Sequence, residues 1–264
     1  MMELYSRIQA FFLDLDGTCY VGTRELPATL PFLEFLLARG IPYLFLTNNS
    51  STTAHAYVEK LRRRGFPVRD DQVLTCGDAA ARYLLQDTPY RRIYLVATPP
   101  VEEEFRRLGF TLTSEDAEAV LLTFDTGITY RKMEEMAHLL YSGVPYFATQ
   151  PDITCITENG LTPDVGVFIA GMKVMTGREP TILGKPSLPM VQAGLERLGF
   201  TSPEHVAMVG DQLDTDMTMG VTQGLISFLV LTGETSLEKA AAFPLKPDRI
   251  VRDLGEIHAG LISR

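Results

Sequence analysis

Short apolar runs that favour β-strands alternate along the chain with amphipathic stretches that favour α-helices. The first group of strand-like runs contains AFFLDLDG and IPYLFLTNNS. A second group follows Gly184 and contains HVAMVGD and LISFLVLTG. This order is typical of a doubly wound parallel sheet with helices on both faces, in which ligands bind at the carboxyl ends of the strands. The sequence therefore predicts an α/β fold with its functional site at that end of the sheet.

A further alternating series separates these two groups. Its strand-like runs include RRIYLVAT and AEAVLLTFD, and a length of about a hundred residues is enough for a small domain. The sequence therefore predicts a core that is interrupted by a smaller inserted α/β domain. The predicted parts are the first part of the core at residues 1–78, the inserted domain at 79–181 and the second part of the core at 182–264.

The run FFLDLDGT ends an apolar strand with two carboxylates, Asp14 and Asp16. Side chains two residues apart on a strand share a face, so we expect these carboxylates to converge. Two like charges placed together repel unless a cation or a shared proton lies between them. The pattern favours a metal site with an activated carboxylate, and the alternative is a turn in which Asp and Gly end the strand.

Polar residues also follow the other predicted core strands. Thr47 and Asn48 offer a hydroxyl, an amide and backbone N–H groups to phosphate oxygens, and the alternative is a helix cap. Lys185 precedes a helix that begins with proline, either as a cation of the site or as a solvated charge. Asp211 and Asp216 follow a later strand. The coincidence of these clusters at strand ends indicates one shared site.

Charge and motif content argue against several classes of function. Lys and Arg number 24 against 33 Asp and Glu, and the formal net charge of -9 argues against broad binding to nucleic acid or to anionic membranes. The segment around Lys185 lacks the GxxxxGK[ST] spacing of a P-loop, and no GxGxxG follows the first strand. The 4 histidines have no metal-like spacing, and the 3 cysteines have no CxxC spacing. Without a signal peptide or a membrane-spanning run, the sequence predicts a cytoplasmic protein with reduced thiols.

Four motifs, in this order, resemble those of the haloacid dehalogenase-like (HAD) hydrolase superfamily. They are DxDGT at residues 14–18, the TN pair at Thr47 and Asn48, Lys185, and GDxxxTD at residues 210–216. The insertion, together with TNNSS and GKP, resembles the NagD-like or nitrophenylphosphatase branch, and the resemblance covers nearly the whole chain. It implies a Rossmann-like HAD core with an inserted cap domain. The chain departs from this branch at Gln150, where the branch usually has Asn, and near TPDVGV, where it tends to have a PGxG-like stretch.

The resemblance implies magnesium-dependent hydrolysis of phosphate monoesters through an aspartyl-phosphate. Asp14 is the expected nucleophile, and Asp16 is the expected acid toward the leaving alcohol and base toward water. Mg2+ is expected on Asp14, on Asp211 and on the backbone carbonyl of Asp16, with Asp216 orienting a metal-bound water. The expected substrate-binding residues are Asp16, Thr47, Asn48, Lys185 and Gln212.

The substrate and the acceptor stay open at this stage. The expected partner is a small phosphorylated metabolite, such as a nucleotide, a sugar phosphate or a short-chain phosphate, with nitrophenyl phosphate as an artificial substrate. A phosphotransferase or mutase on the same core is one alternative, and product analysis separates it from a phosphatase. A noncatalytic module that binds phosphometabolites is the other, although it would be expected to lack one of the acids or Lys185. A homodimer through the cap is also left open.

The segment ATQPDITCITENGLTPD, at residues 148–164, follows a predicted strand of the inserted domain and is interpreted as a polar loop. Loops carry specificity when they face a site, so Gln150 and Asp152 are candidate specificity residues. The alternative is a solvent-exposed connection with ordinary turn chemistry. On the first interpretation, replacing either residue changes the ranking of substrates.

Overall fold

The computed structural model describes residues 2–157 and 160–263. By its contacts the chain divides into two compact units. The core unit comprises the described residues within Met1–Thr47, Tyr57–Leu74 and Lys185–Arg264, and the inserted unit comprises those within Asn48–Ala56 and Thr75–Gly184. The predicted boundaries at residues 79 and 181 stay predictions, since this grouping also assigns Asn48–Ala56 to the inserted unit.

Helices and short strands alternate through the chain. The α-helices are α1 (Met2–Arg7), α2 (Thr29–Ala38), α3 (Ala54–Arg63), α4 (Cys76–Asp87), α5 (Pro99–Arg107), α6 (Tyr130–Tyr141), α7 (Val165–Thr176), α8 (Leu188–Leu198), α9 (Thr218–Thr222), α10 (Leu237–Ala242) and α11 (Leu254–Ile262), and a π-helical turn spans Leu213–Met217. The strands are β1 (Ala10–Asp14), β2 (Tyr20–Val21), β3 (Arg24–Glu25), β4 (Tyr43–Thr47), β5 (Val73–Thr75), β6 (Arg92–Val96), β7 (Thr111–Leu112), β8 (Ala119–Leu122), β9 (Tyr146–Ala148), β10 (Thr154–Thr157), β11 (Gly160–Pro163), β12 (Thr181–Ile182), β13 (Val206–Gly210), β14 (Ile226–Val230) and β15 (Arg249–Val251). Among the described residues, no helix combines the length and the hydropathy that a membrane crossing requires.

The core unit contains a six-stranded sheet in the order β15-β14-β13-β1-β4-β5. β1 pairs in parallel with β4 on one side and with β13 on the other, so the order of the strands reverses at β1. In α/β folds such a reversal opens a crevice at the carboxyl ends of the strands. Asp14, Thr47 and Gly210 are the last residues of β1, β4 and β13. The predicted doubly wound α/β core is confirmed.

The central strands are largely apolar up to their last residues because both faces of the sheet are covered. All residues of β1, β4 and β13 are buried, as expected for a parallel sheet between helices. Phe11 of β1 packs edge to face on Phe32 of α2, with 5.4 Å between ring centroids. Phe12 lies against Gly194 of α8, where a Cβ would fall 2.6 Å from the ring. Each buried ring stabilises the fold by about 2 kcal/mol and fixes a helix against the strand that carries Asp14.

The inserted unit has a sheet of its own, with five strands in the order β12-β9-β8-β6-β7. β8 pairs in parallel with both β6 and β9. Separate apolar clusters form on alternate residues of β8, with Leu121 in one and Val120 in the other. A sheet that is apolar on both faces supports a core independent of the first unit. The inserted segment therefore has the predicted α/β organisation.

The segment at residues 148–164 is partly a β-hairpin rather than the predicted loop. β10 and β11 pair in antiparallel fashion, with Thr154 opposite Pro163. Glu158 and Asn159 lie outside the described residues. The loop interpretation is wrong because it overlooked the β-branched residues on both sides of an Asn-Gly pair, which is a strong hairpin signal in a sequence.

Candidate active site

A buried lysine lies between two carboxylates at the carboxyl ends of the core strands. Lys185 Nζ is 2.5 Å from Asp14 Oδ1 and 2.7 Å from Asp216 Oδ1. Lys185 is 3% exposed, Asp14 8% and Asp216 0%, so Lys185 is not the solvated charge of the alternative interpretation. Burial alone would lower the pKa of Lys185, but the two carboxylates outweigh this effect and raise that pKa. The lysine is therefore a fixed positive charge in the site.

The pKa of the Asp14 carboxyl group is subject to opposing effects. Burial raises the pKa of its carboxyl group well above the ordinary value, the charge of Lys185 lowers it, and the charges of Asp216 and Asp211 raise it again. Buried charges are costly unless they are balanced by partners. Because three carboxylates face one lysine, the site has an excess of negative charge that favours the binding of a cation.

Asp14, Asp211 and Asp216 are grouped as metal ligands would be. One oxygen of each lies within 4.8 Å of the others. Asp211 Oδ2 accepts a hydrogen bond from the Glu234 N–H at 2.7 Å, whereas Asp211 Oδ1 is buried and has no hydrogen-bond partner in the described part of the chain. A divalent cation such as Mg2+ prefers oxygen ligands and would satisfy this orphaned oxygen. The residues present therefore fit a divalent cation.

Two neighbouring glycines leave space for the Asp211 carboxylate. A Cβ on Gly17 or on Gly233 would collide with that carboxylate. Gly17 also has a φ of 88°, which only glycine adopts without strain. The glycine of the DxDGT motif thus serves both the turn after β1 and the close approach of Asp211.

Asp16 does not join this carboxylate group. β1 ends at Asp14, so Asp16 lies beyond the strand, in a turn where the Gly17 N–H donates to Tyr20 O at 2.7 Å. Asp16 Oδ1 accepts a hydrogen bond from the Gly22 N–H at 3.4 Å. Asp16 is not one of the three carboxylates that are grouped as metal ligands would be, and the predicted convergence of the Asp14 and Asp16 side chains stays a prediction. The predicted metal contact through the Asp16 backbone carbonyl stays a prediction.

The surroundings of Asp16 suit a group that holds and releases a proton. Partial burial raises the pKa of the Asp16 carboxyl group, while the Gly22 N–H and the charges of Lys60 and Arg64 oppose that rise. A raised pKa favours a carboxyl group that acts as an acid near neutral pH. Lys60 and Arg64 are not among the site residues that the sequence predicts. Their four-residue spacing near the end of α3, which places two cations on one side, was the available signal.

Thr47 and Asn48 are adjacent in sequence but belong to different units. Thr47 is the buried last residue of β4. The Asn48 side chain donates from Nδ2 to Asp152 Oδ2 at 2.9 Å, and the Cys76 thiol donates to Asn48 O at 2.9 Å. The side-chain amide of Asn48 is thus engaged within the inserted unit. The predicted contacts of both residues with phosphate stay predictions.

Gln212 is tied into the turn that follows β13. Its N–H donates to Asp216 Oδ2 at 3.2 Å, and its Oε1 accepts from the Thr215 hydroxyl at 3.0 Å. The bond from the Gln212 N–H holds one oxygen of Asp216, whose other oxygen accepts from Lys185. The predicted contact of Gln212 with substrate stays a prediction.

Comparisons with known proteins agree with this geometry. The family described as haloacid dehalogenase-like hydrolase matches residues 11–111, and the family described as HAD-hydrolase-like matches residues 182–257. An acid sugar phosphatase of Staphylococcus aureus is 32% identical over 254 residues, which cover 96% of this chain and 98% of that protein. The chain belongs to the haloacid dehalogenase-like hydrolase family.

Solved structures assign this HAD protein to a branch of the family. The 4-nitrophenylphosphatase of Thermotoga maritima is 39% identical, with a TM-score of 0.93 and coverage of 98% of this chain and 99% of that one. A protein described as a putative NagD protein is 38% identical, with a TM-score of 0.89 and coverage of 97% and 98%. The resemblance to the NagD-like and nitrophenylphosphatase branch is confirmed, and the chain is a phosphatase that acts on small phosphate monoesters. Phosphatases of the HAD family are metal-dependent, in agreement with the carboxylate group.

Gln150 of this HAD phosphatase lies inside the inserted unit and is 0% exposed. Its Nε2 donates to Asp164 Oδ1 at 3.0 Å. Its Oε1 accepts from the Ser50 hydroxyl at 3.1 Å and from the Thr149 hydroxyl. The amide is therefore used within the unit, which favours a structural role over the predicted role in specificity.

Replacing Gln150 by alanine should lower the free energy of unfolding by about 1–3 kcal/mol, because Asp164 and two hydroxyls lose a buried partner. Urea denaturation measures this loss. Gln86→Ala is the matched control, because Gln86 is an exposed glutamine of the same unit, and its effect should stay within about 0.5 kcal/mol. An unchanged stability together with a changed ranking of substrates would instead support a contact with substrate.

Proposed function

We propose that this HAD phosphatase hydrolyses sugar phosphates and other small phosphate monoesters through an aspartyl-phosphate on Asp14. The observation that carries the proposal is the buried contact of Lys185 with Asp14 and Asp216, with Asp211 beside them. A carboxylate can attack an anionic phosphate only if the repulsion between them is offset. Lys185 holds one oxygen of Asp14 in place and supplies part of that offsetting charge.

The proposed reaction has two displacement steps. In the first, an Asp14 carboxylate oxygen bonds to phosphorus as the ester O–P bond breaks, and the leaving alkoxide takes the proton of Asp16. In the second, a water oxygen bonds to phosphorus while Asp16 takes a proton from that water, and the bond to Asp14 breaks. Phosphate leaves, and both aspartates return to their starting protonation states.

Three groups are proposed to stabilise the phosphoryl oxygens as the bonds change. They are the Thr47 hydroxyl, the backbone N–H of Asn48 and the Lys185 ammonium group. Donors at fixed positions stabilise the charge of a loose phosphoryl transition state without reorganisation. Thr47 is suited to this role because it ends a buried strand beside β1.

The metal ligands that we propose are the Asp14 and Asp211 carboxylates and the backbone carbonyl of Asp16, with Mg2+ as the ion. When bound, the ion would neutralise charge on the phosphoryl group. Hydrogen bonds fix the two carboxylates without an ion, since Asp211 accepts from the Glu234 N–H and Asp14 accepts from Lys185. Asp216 is proposed to orient a water next to the ion, and it also fixes Lys185.

The proposed partner is a small phosphorylated metabolite. The name of the Staphylococcus aureus relative favours a sugar phosphate as the first candidate. We also propose a cytoplasmic location, with which the buried thiols of Cys19 and Cys76 agree. A homodimer through the inserted domain stays a prediction.

Asp16→Asn tests the acid in this mechanism. An alkoxide is a poor leaving group and needs the proton, so kcat/KM for glycerol phosphate or a sugar phosphate should fall by about 100-fold or more. Nitrophenolate leaves readily without a proton, so the loss for nitrophenyl phosphate in the phosphorylation step should be less than about 10-fold. Initial rates of phosphate release at low substrate concentration give kcat/KM for each ester, and the rapid release of nitrophenolate reports the phosphorylation step directly.

Asp214→Asn is the matched control for this experiment. Asp214 is an exposed acid in the turn at Leu213–Met217, and its replacement should leave the activity toward both esters unchanged. If Asp16→Asn lowered kcat/KM equally for alkyl and nitrophenyl esters, Asp16 would not be the acid of the phosphorylation step.

A further inference from the structure

A very short hairpin lies beside Asp16 in the core unit. It consists of β2 and β3, which have 2 residues each and pair in antiparallel fashion. A two-stranded hairpin is at best marginally stable in water, so contacts from outside must hold it. Lys60 of α3 and Arg64, which directly follows α3, supply such contacts.

Arg64 contacts both strands and the turn between them. Its Nη2 donates to Gly22 O at 2.7 Å, and its Cζ lies 4.2 Å from the centroid of the Tyr20 ring. Its Nη1 is 3.7 Å from Glu25 Oε1. The Arg64 side chain is 14% exposed and Tyr20 is 1% exposed, so the guanidinium meets the ring in a largely dry environment, where a cation over an aromatic ring is stabilised more strongly than in water.

Lys60 holds the same hairpin through Tyr20. Its Nζ lies 4.9 Å from the centroid of the Tyr20 ring and donates to the Tyr20 hydroxyl at 3.3 Å. Tyr20 is 1% exposed, and its carbonyl accepts from the N–H of Gly17, the residue after Asp16. The position of the Tyr20 ring is therefore coupled to the turn that carries Asp16.

Gly22 connects Arg64 to the Asp16 carboxyl group. The Gly22 carbonyl accepts from Arg64, while the Gly22 N–H donates to Asp16 Oδ1. Asp16 lies past the end of β1, so the ladder of the sheet does not fix it. The orientation of this carboxyl group then depends on the hairpin, and the hairpin depends on Lys60 and Arg64.

We propose that Lys60 and Arg64 are positioning residues that hold the Asp16 carboxyl group for proton transfer to the leaving alcohol. This inference rests on the proposed role of Asp16. Arg64 acts through Gly22 and Lys60 acts through Tyr20, and neither needs to touch the substrate. A carboxyl group that is displaced by a fraction of an ångström transfers its proton poorly, because general acids work at hydrogen-bond distance. The loss therefore depends on how much the leaving group needs the proton.

Arg64→Ala should lower kcat/KM for glycerol phosphate by about 10- to 30-fold and that for nitrophenyl phosphate by less than about 3-fold. Lys60→Met, which keeps much of the side-chain stem, should show the same pattern with a smaller loss. Arg64→Lys, which keeps the charge, should recover part of the glycerol phosphate activity. Arg63→Ala is the matched control, because it removes the same charge from an exposed neighbouring position and should change neither activity.

A double-mutant cycle shows whether Arg64 acts through Asp16. In the Asp16→Asn background, Arg64→Ala should change kcat/KM for glycerol phosphate by less than about 2-fold, because the group that Arg64 positions is already gone. A full Arg64→Ala effect in that background, or equal losses on both esters in the wild-type background, would overturn the inference. Should Arg64→Ala fail to fold by circular dichroism, Arg64→Lys takes its place with the same two outcomes. If the proposed role of Asp16 were itself wrong, Asp16→Asn alone would lower kcat/KM for both esters equally, so this outcome is seen separately.

Discussion

Asp14→Asn should lower the turnover of nitrophenyl phosphate and of sugar phosphates by at least about 1000-fold. The asparagine side chain has nearly the same shape, but its neutral amide is not a competent nucleophile toward phosphorus. Unlike Asp16→Asn, this change should affect all esters alike, because every substrate passes through the same covalent step. Rapid acid quenching of the wild-type enzyme, followed by mass spectrometry, should find one phosphoryl group on the peptide that contains Asp14.

A loss of turnover in Asp14→Asn has to be distinguished from a loss of stability. Lys185 would keep its contact with Asp216 at 2.7 Å after the Asp14 charge is removed. Removing one partner of a buried ion pair can still cost about 3–5 kcal/mol, so urea denaturation has to accompany the activity assay. Asp214→Asn again serves as the control at an exposed position. Near-normal turnover by folded Asp14→Asn, or a phosphoryl group on another residue, would contradict the mechanism.

Much of the site could be predicted because its residues sit at the ends of apolar strands. Asp14 ends β1 and Asp211 directly follows β13, and both strands are visible in the sequence as short apolar runs. Parallel strands bring their carboxyl ends together, so residues as distant in sequence as Asp14 and Asp211 can be expected to meet. The order of the four motifs then indicated a single site.

The details that were missed depend on where elements end and on what surrounds them. Periodicity alone could not show that β1 stops at Asp14, which places Asp16 in the turn beyond the strand. It also could not show that Lys185 is 3% exposed, since most lysines are solvated and only tertiary packing places this one between two acids. The roles of Lys60 and Arg64 depend on a hairpin of 2-residue strands, which is too short to be recognised from a pattern.

In the inserted unit, too, only part of the structure could be predicted from the sequence. Its strands and helices could be predicted from alternation, but the network around Gln150 could not. A glutamine between polar residues resembles a loop residue in sequence, yet in the structure its amide joins Asp164, Ser50 and Thr149 in a dry interior. Burial of a polar side chain is a property of packing, and a local sequence pattern does not encode it.

Removal of the metal should abolish turnover, and Mg2+ should restore it. Ca2+ should substitute poorly, because it takes more ligands at longer distances and would hold the same carboxylates differently. A second readout does not depend on activity: Mg2+ should raise the unfolding midpoint, since an ion present at about 100 times its Kd stabilises the folded state by about 2.7 kcal/mol. Full turnover after exhaustive treatment with EDTA would contradict a metal-dependent mechanism.

Asp211 and Asp216, which both follow β13, should respond differently to substitution, and their hydrogen bonds give the reason. Asp211 Oδ1 has no hydrogen-bond partner in the described chain, so a bound ion is the partner that would satisfy it. Asp216 already accepts from Lys185 and from the Gln212 N–H, so its oxygens are used without an ion.

Asp211→Asn should therefore raise the Mg2+ concentration needed for half-maximal activity more than Asp216→Asn does. It should also largely remove the Mg2+-dependent rise in the unfolding midpoint. Asp216→Asn should instead lower the midpoint with and without Mg2+, because it leaves the buried Lys185 with one fewer anionic partner. A larger shift in the Mg2+ requirement for Asp216→Asn would make Asp216, rather than Asp211, the principal metal ligand.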